Sequence, residues 1–139
     1  MSDRPPDLPL FVYGTLRPGL RNHARFLAGR CERARPAVLA GTALHDGPGY
    51  PFAVPDPAHR VHGDLLAPRP EEYAGVLAAL DRLEGCHPDG SGLYIRIELP
   101  VTPAGGDPVS AWVYLAGPAW TARLRTTPAL IPSGDWTQP

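Results

Sequence analysis

The chain contains no lysine: every one of its 13 Lys-plus-Arg residues is an arginine. That excludes Schiff-base catalysis on a lysine amine and a phosphate-binding P-loop lysine. Cysteine is nearly as scarce. Cys31 and Cys86 are the only two, their spacing matches no zinc or redox motif, and reduced thiols in a cytosolic protein are expected. No apolar run approaches the roughly 18 residues that a membrane span requires. The opening Met1-Ser-Asp-Arg-Pro-Pro-Asp7 lacks the apolar core of a signal peptide. Charge of one sign is missing too: 13 basic residues face 14 acidic ones for a net charge of −1. Such a balance offers no electrostatic footprint for nucleic acid or an anionic membrane. These absences predict a soluble, cytoplasmic protein with no nucleic-acid or membrane partner. The histidines His23, His45, His59, His62 and His87 show no metal-ligand spacing, so no metal site is expected.

Proline and glycine are abundant, at 19 and 15 of 139 residues. They cut the chain into short pieces and favour strands and turns over long helices. The length predicts one domain, over residues 8–139, preceded by a short flexible segment over 1–7. Short strands are expected at 10–13, 38–44, 52–54, 61–66, 93–101 and 109–115. The last two alternate cleanly: Leu93, Ile95, Ile97 and Leu99 share one face, while Tyr94, Arg96 and Glu98 share the other. Trp112 and Tyr114 likewise oppose Ala111, Val113 and Leu115. A short helical piece is expected over 22–27. The one convincing long helix runs from Pro70 to Glu84, with an apolar stripe of Tyr73, Val76, Leu77, Leu80 and Leu83 and a natural stop at Gly85. The tail from Arg123 to Trp136 reads as apolar patches and turns. The sum is an α+β domain around a mostly antiparallel sheet, either open or closed.

Two places carry chemistry. In Leu10-Phe-Val-Tyr-Gly-Thr-Leu-Arg-Pro-Gly19 a buried strand breaks at Gly14 into a tight loop. Successive backbone N–H groups there lose their ladder partners and can form an anion-binding nest. The same pattern also fits a plain strand ending in a turn. The second place is Glu84. At about 100° per residue, with Tyr73 at zero, Leu77 falls near 40° and Glu84 near 20°. The carboxylate thus projects from the middle of the buried stripe, beside the negative end of the helix dipole. Both effects raise a carboxylate pKa, the condition that general acid–base catalysis exploits. A frayed last turn that releases Glu84 into water is the alternative.

Other candidates are weaker. Asp64 lies on an expected strand and faces solvent on this reading. Ser91 lacks a nucleophile-elbow context, and Cys86 has no evident base beside it. Tyr94 and Arg96 share a strand face that either lines a cavity or lies exposed.

Taken together, Phe11-Val-Tyr-Gly-Thr-Leu16, Asn22-His23, Leu80-Asp-Arg-Leu-Glu-Gly85, Tyr94-Ile-Arg96, Trp112-Val-Tyr114 and Ile131-Pro-Ser-Gly-Asp-Trp136 resemble the γ-glutamylcyclotransferase-like family, in family order over about residues 9–136. The resemblance implies a small six-stranded β-barrel flanked by helices. It implies that Tyr13, Gly14, Thr15 and Leu16 form the substrate loop, that Glu84 is the catalytic acid–base, and that Tyr94 lines the pocket. The implied reaction converts a γ-glutamyl amine or amino acid into 5-oxoproline and the free amine, without metal or organic cofactor. The closing Gly-Asp-Trp is similar to small bacterial members, some of which lack the glutamate that this chain keeps. Tyr-Gly-Thr-Leu and Asn-His resemble the branch acting on γ-glutamyl amines, including the deprotecting cyclotransferase of an aminoglycoside pathway. A non-catalytic small-molecule-binding module on the same barrel is the competing expectation. Monomer and homodimer are both left open.

Overall fold

The computed structural model describes residues 7–87 and 89–139. Apart from Asp7, the expected N-terminal segment lies outside them. The chain order is β1 (Leu10–Val12), α1 (Arg21–Phe26), β2 (Arg35–His45), β3 (Phe52–Leu66), α2 (Tyr73–Leu83), β4 (Tyr94–Pro103), β5 (Val109–Ala116) and α3 (Pro118–Thr126). The strands close into a barrel in the order β1-β3-β2-β4-β5. Every pairing is antiparallel except β1 with β5, where Phe11 lies opposite Val113 in parallel register.

Strand alternation divides the apolar residues into two layers. Phe11, Tyr13, Leu39, Val61, Leu65, Val101, Val113 and Leu115 pack together as the barrel interior. Their sequence neighbours Leu10, Val12, Leu66 and Tyr114 face outward, where Leu27, Val76, Leu80 and Leu124 cover them. Helix α2 therefore lies against the outside of the barrel, and its C-terminus comes to the end of β1. Among the described residues no helix is long and apolar enough to cross a membrane.

Three details differ from expectation. The segments 52–54 and 61–66 are one strand, so the barrel has five strands rather than six. The register slips where Pro55 pairs with Thr42 and Arg60 with Ala40, around Gly41 at φ 68°. Such a bulge tolerates Pro55 and Pro57, which cannot donate to a ladder. The second difference is α3, whose last turn, from Arg123, enters the expected turn-rich tail. Pro118 sits in its first turn, but only Leu124 is buried, leaving almost no amphipathic signal to detect. Finally, α2 begins at Tyr73, after a tight turn in which the Glu72 N–H donates to Arg69 O at 2.9 Å. Leu83, expected in the buried stripe, is 36% exposed.

Candidate active site

Beyond β1 the backbone turns sharply, the Arg17 N–H donating to the Gly14 carbonyl at 3.0 Å. Helix α1 grips this loop from one side. The Asn22 N–H donates to Thr15 O at 3.0 Å, and Asn22 Nδ2 donates to Thr15 Oγ1 at 2.8 Å. His23 Nδ1 lies 3.0 Å from the Leu16 carbonyl, so it is the protonated nitrogen and donates. Arg17 anchors the far side, reaching Asp64 Oδ2 at 2.8 Å and Asp135 Oδ1 at 2.9 Å. Asp64, expected to face solvent, is thus a paired carboxylate with only 14% of its side chain exposed. The carbonyls of Gly14, Thr15 and Leu16 are all engaged. Among the described residues, none of their own N–H groups donates to a protein acceptor.

Opposite this loop lies the end of α2. The Gly85 N–H donates to Arg82 O at 3.2 Å and the Cys86 N–H to Asp81 O at 2.8 Å. With Gly85 at φ 60°, these two bonds form a Schellman cap. The last turn is therefore closed, not frayed, and the side chain of Glu84 is held at the cavity. Its carboxylate has no hydrogen-bond donor among the described residues, and burial pushes its pKa up to about 7. The residue is partly open to the cavity, but the protein atoms packed around it strip its carboxylate of hydration.

The cavity brings together Tyr13, Gly14, Thr15, Leu16, Glu84 and Tyr94, with Tyr50, Pro51 and Tyr114. An inner chamber of about 40 Å³ adjoins an outer groove of about 240 Å³. Thr15, Tyr50, Glu84 and Tyr94 belong to both.

The tyrosine protons are already committed. Tyr94 Oη donates to Pro51 O at 2.6 Å, Tyr13 Oη to Tyr114 O, and Tyr114 Oη to Asp81 Oδ1 at 2.6 Å. Burial first, and for Tyr13 the charge of Glu84 next, raises the Tyr13 and Tyr94 hydroxyls far above their ordinary value, so both stay protonated. What these side chains retain for a guest is lone pairs. Tyr94 is stacked in place by Phe52 at 4.9 Å, and Phe52 stacks on Trp120 at 4.6 Å.

Asp81, which carried no signal of its own in the sequence, forms a network with Arg96. Arg96 Nε donates to Asp81 Oδ1 at 2.9 Å and Nη2 to Oδ2 at 3.2 Å, with the Trp112 ring 4.4 Å from the guanidinium. Asp81 lies one helical turn before Glu84 and fixes Tyr114 beside it. Tyr50 and Pro51 carried only a turn signal in the sequence. No histidine is among the residues lining the cavity or the groove: His23 holds the loop from behind, His45 Nδ1 accepts from the Ala129 N–H at 3.1 Å, and His59 sits 3.3 Å from Asp56. Ser91 sits in a turn closed by Asp89, donating its hydroxyl to Asp89 Oδ1 at 2.6 Å and its N–H to the same oxygen at 2.9 Å. Among the described residues there is no cluster of His, Cys, Asp or Glu suited to a metal ion.

A family model described as Gamma-glutamyl cyclotransferase, AIG2-like, matches residues 10–138. The Gamma-L-glutamyl-butirosin B gamma-glutamyl cyclotransferase of Niallia circulans is 33% identical over 109 residues, covering 76% of this chain and 65% of that protein. The chain thus spans just under two thirds of that relative. The Gamma-glutamylaminecyclotransferase of Bos taurus is 34% identical over 127 residues, covering 81% of this chain and 69% of that one. The crystal structure of an AIG2-like protein from Mus musculus superposes with a TM-score of 0.59 at 25% identity, covering 81% of each chain.

Proposed function

Because this chain belongs to the gamma-glutamyl cyclotransferase, AIG2-like family, we propose that it converts a γ-glutamyl amide into 5-oxoproline and a free amine, with Glu84 as general acid–base. The observation that carries this reading is a carboxylate with its pKa pushed to about 7 facing unbonded loop N–H groups across a small chamber.

A γ-glutamyl head group presents an α-carboxylate and an α-ammonium. The N–H groups of Gly14, Thr15 and Leu16 suit the carboxylate or the oxyanion that develops on the γ-carbonyl. The lone pairs of Tyr94 and the carboxylate of Glu84 suit the ammonium. Tyr94 serves here as an acceptor, since its proton is held by Pro51.

Glu84 removes one proton from the ammonium, and the freed amine attacks the γ-carbonyl carbon within the same molecule. The tether already supplies proximity. As the tetrahedral intermediate collapses, the C–N bond to the leaving amine breaks. Two protons leave the α-nitrogen and two reach the departing nitrogen, so Glu84 ends in the state in which it began. No cofactor enters the scheme.

The direct test is release of 5-oxoproline from a panel of γ-glutamyl amino acids and γ-glutamyl amines. Release from at least one supports the reading. Binding of a γ-glutamyl compound without release from any would favour the binding-module alternative.

The acid limb of kcat/KM should rise with pH and level off above an apparent pKa near 7, because only ionised Glu84 accepts the proton. A profile flat from about pH 5.5 to 8.5 would count against Glu84 as the base.

Thr15→Ala should retain activity within about tenfold of the parent. It removes the Asn22 Nδ2 bond, a loss of about 1 kcal/mol, but leaves the Asn22 N–H to Thr15 O bond that holds the loop. Abolished turnover with the fold intact would assign the hydroxyl a chemical role.

A further inference from the structure

The outer groove, where the departing amine must lie if the cyclotransferase reading holds, is built from chemically distinct walls. Tyr50, Leu83 and Leu93 give it an apolar side, and Leu83 stays 36% exposed at its rim. Arg21 supplies the only cation among its lining residues, and no acidic residue other than Glu84 lines it.

Arg21 is the first residue of α1. Its Nη2 donates to the Gly49 carbonyl at 2.8 Å, which ties the start of α1 to the 46–51 loop. No carboxylate pairs with this guanidinium among the described residues, so Nε and Nη1 keep their donors. A guanidinium held by one bond in advance loses less freedom when it grips an anion, and its planar fork matches a carboxylate.

We propose that Arg21 is a specificity residue that receives a carboxylate on the leaving amine, making γ-glutamyl amino acids with small or apolar side chains the substrate class. Tyr50, Leu83 and Leu93 receive the side chain. The assignment departs from the amine leaving group towards which the motif resemblance leans: a departing group that carries a second cation would meet the Arg21 charge instead of a partner.

The experiment compares kcat/KM for γ-L-glutamyl-L-alanine, its uncharged isostere γ-L-glutamyl-L-alaninamide and the cationic γ-glutamylputrescine, in the parent and in Arg21→Gln and Arg21→Lys. The parent should favour the alanine substrate over the alaninamide by about tenfold, a modest figure because the guanidinium is exposed to solvent and salt. It should disfavour the putrescine conjugate further. Arg21→Gln should bring the alanine-to-alaninamide ratio close to one, chiefly through KM, and Arg21→Lys should restore part of it.

Equal rates on the charged and uncharged pair in the parent, or a preference that survives Arg21→Gln, would overturn the assignment while leaving the cyclotransferase reading in place. No 5-oxoproline from any of the three, nor from the wider panel, would overturn both.

Discussion

Glu84→Gln is expected to lower kcat by about 10²- to 10⁴-fold on any accepted γ-glutamyl substrate, the range that general acid–base catalysis typically supplies. The amide keeps the shape of the carboxylate and nearly its volume, and it sits behind the same closed helix end. It cannot take a proton from an ammonium at neutral pH. Binding of a γ-glutamyl analogue should largely survive, since the loop N–H groups proposed to receive the anion belong to other residues. The acid limb near pH 7 should vanish with the carboxylate. A variant that releases 5-oxoproline near the parent rate would remove Glu84 from the mechanism.

Stability supplies an independent check on the same residue. The pKa of Glu84 rises from 4.5 to about 7 on folding, so the native state binds more protons than the unfolded chain between those values. Stability contributed by this residue is present in full below about pH 4.5 and is lost as pH rises through about 7. Glutamine has no charge to desolvate. Relative to the parent, Glu84→Gln should therefore be more stable above pH 7, by roughly 1–3 kcal/mol. The advantage should fade towards pH 4.5. Thermal unfolding of both proteins across that range measures it. A variant that is less stable than the parent at pH 8 would contradict the desolvated carboxylate itself, whatever the kinetics show.

The parts of the molecule visible in the sequence are those governed by a local period or a local stop. In α2, Tyr73, Val76 and Leu80 recur at helical spacing and Gly85 ends the run, so the angular position of Glu84 follows from counting. The alternation in β4 and β5 works the same way, placing Tyr94 with Arg96 and Trp112 with Tyr114 before any partner is known. Where tertiary pairing overrides local signals, the sequence misleads. Pro55 and Pro57 look like the end of a strand because proline cannot donate to a ladder, yet a bulge opposite Gly41 absorbs them and β3 continues. Helix α3 is hidden for the opposite reason: with only Leu124 buried, its pattern is too thin to read. Leu83 shows how a wheel projection fails at a helix end, where the packing surface gives way to the groove.

The candidate site divides along the same line. Gly14 to Leu16 and Glu84 announce themselves by an abrupt glycine and a misplaced charge. Tyr50 and Pro51 do not, because a turn has no period; only the register of β2 against β3 delivers them to the cavity. Asp81 looks like an ordinary helix-surface acid until barrel closure brings Arg96 and Tyr114 to it. The tail is similar. Asp135 has meaning only once it meets Arg17 across the closed barrel.

Gly14→Val should cost about 10²-fold in kcat/KM, the scale associated with a displacement of about 1 Å in a positioning element. The reason differs from the one that glycine after a strand first suggests. Gly14 is not among the residues with positive φ, so its backbone would accept a side chain. Space is what is lacking: a Cβ there would lie 2.9 Å from Pro51 Cδ and 3.0 Å from Pro51 Cγ. Those atoms belong to a rigid ring, not to the free end of a flexible chain, so either the loop or Pro51 must move. The carbonyl of Pro51 also holds the Tyr94 hydroxyl at 2.6 Å. One added branch therefore disturbs both the loop proposed to receive the anion and the tyrosine proposed to receive the ammonium. The loss should appear in KM as well as kcat, whereas Glu84→Gln should act on kcat. Gly14→Ala should produce a milder form of the defect. Combining it with Pro51→Ala, which removes the ring atoms in conflict, should recover part of the activity, so that the two substitutions together cost less than their sum. Parent-like KM and kcat in Gly14→Val would show that the Gly14–Leu16 backbone is not the anion site. Strict additivity in the double variant would show that contact with Pro51 is not how Gly14 matters.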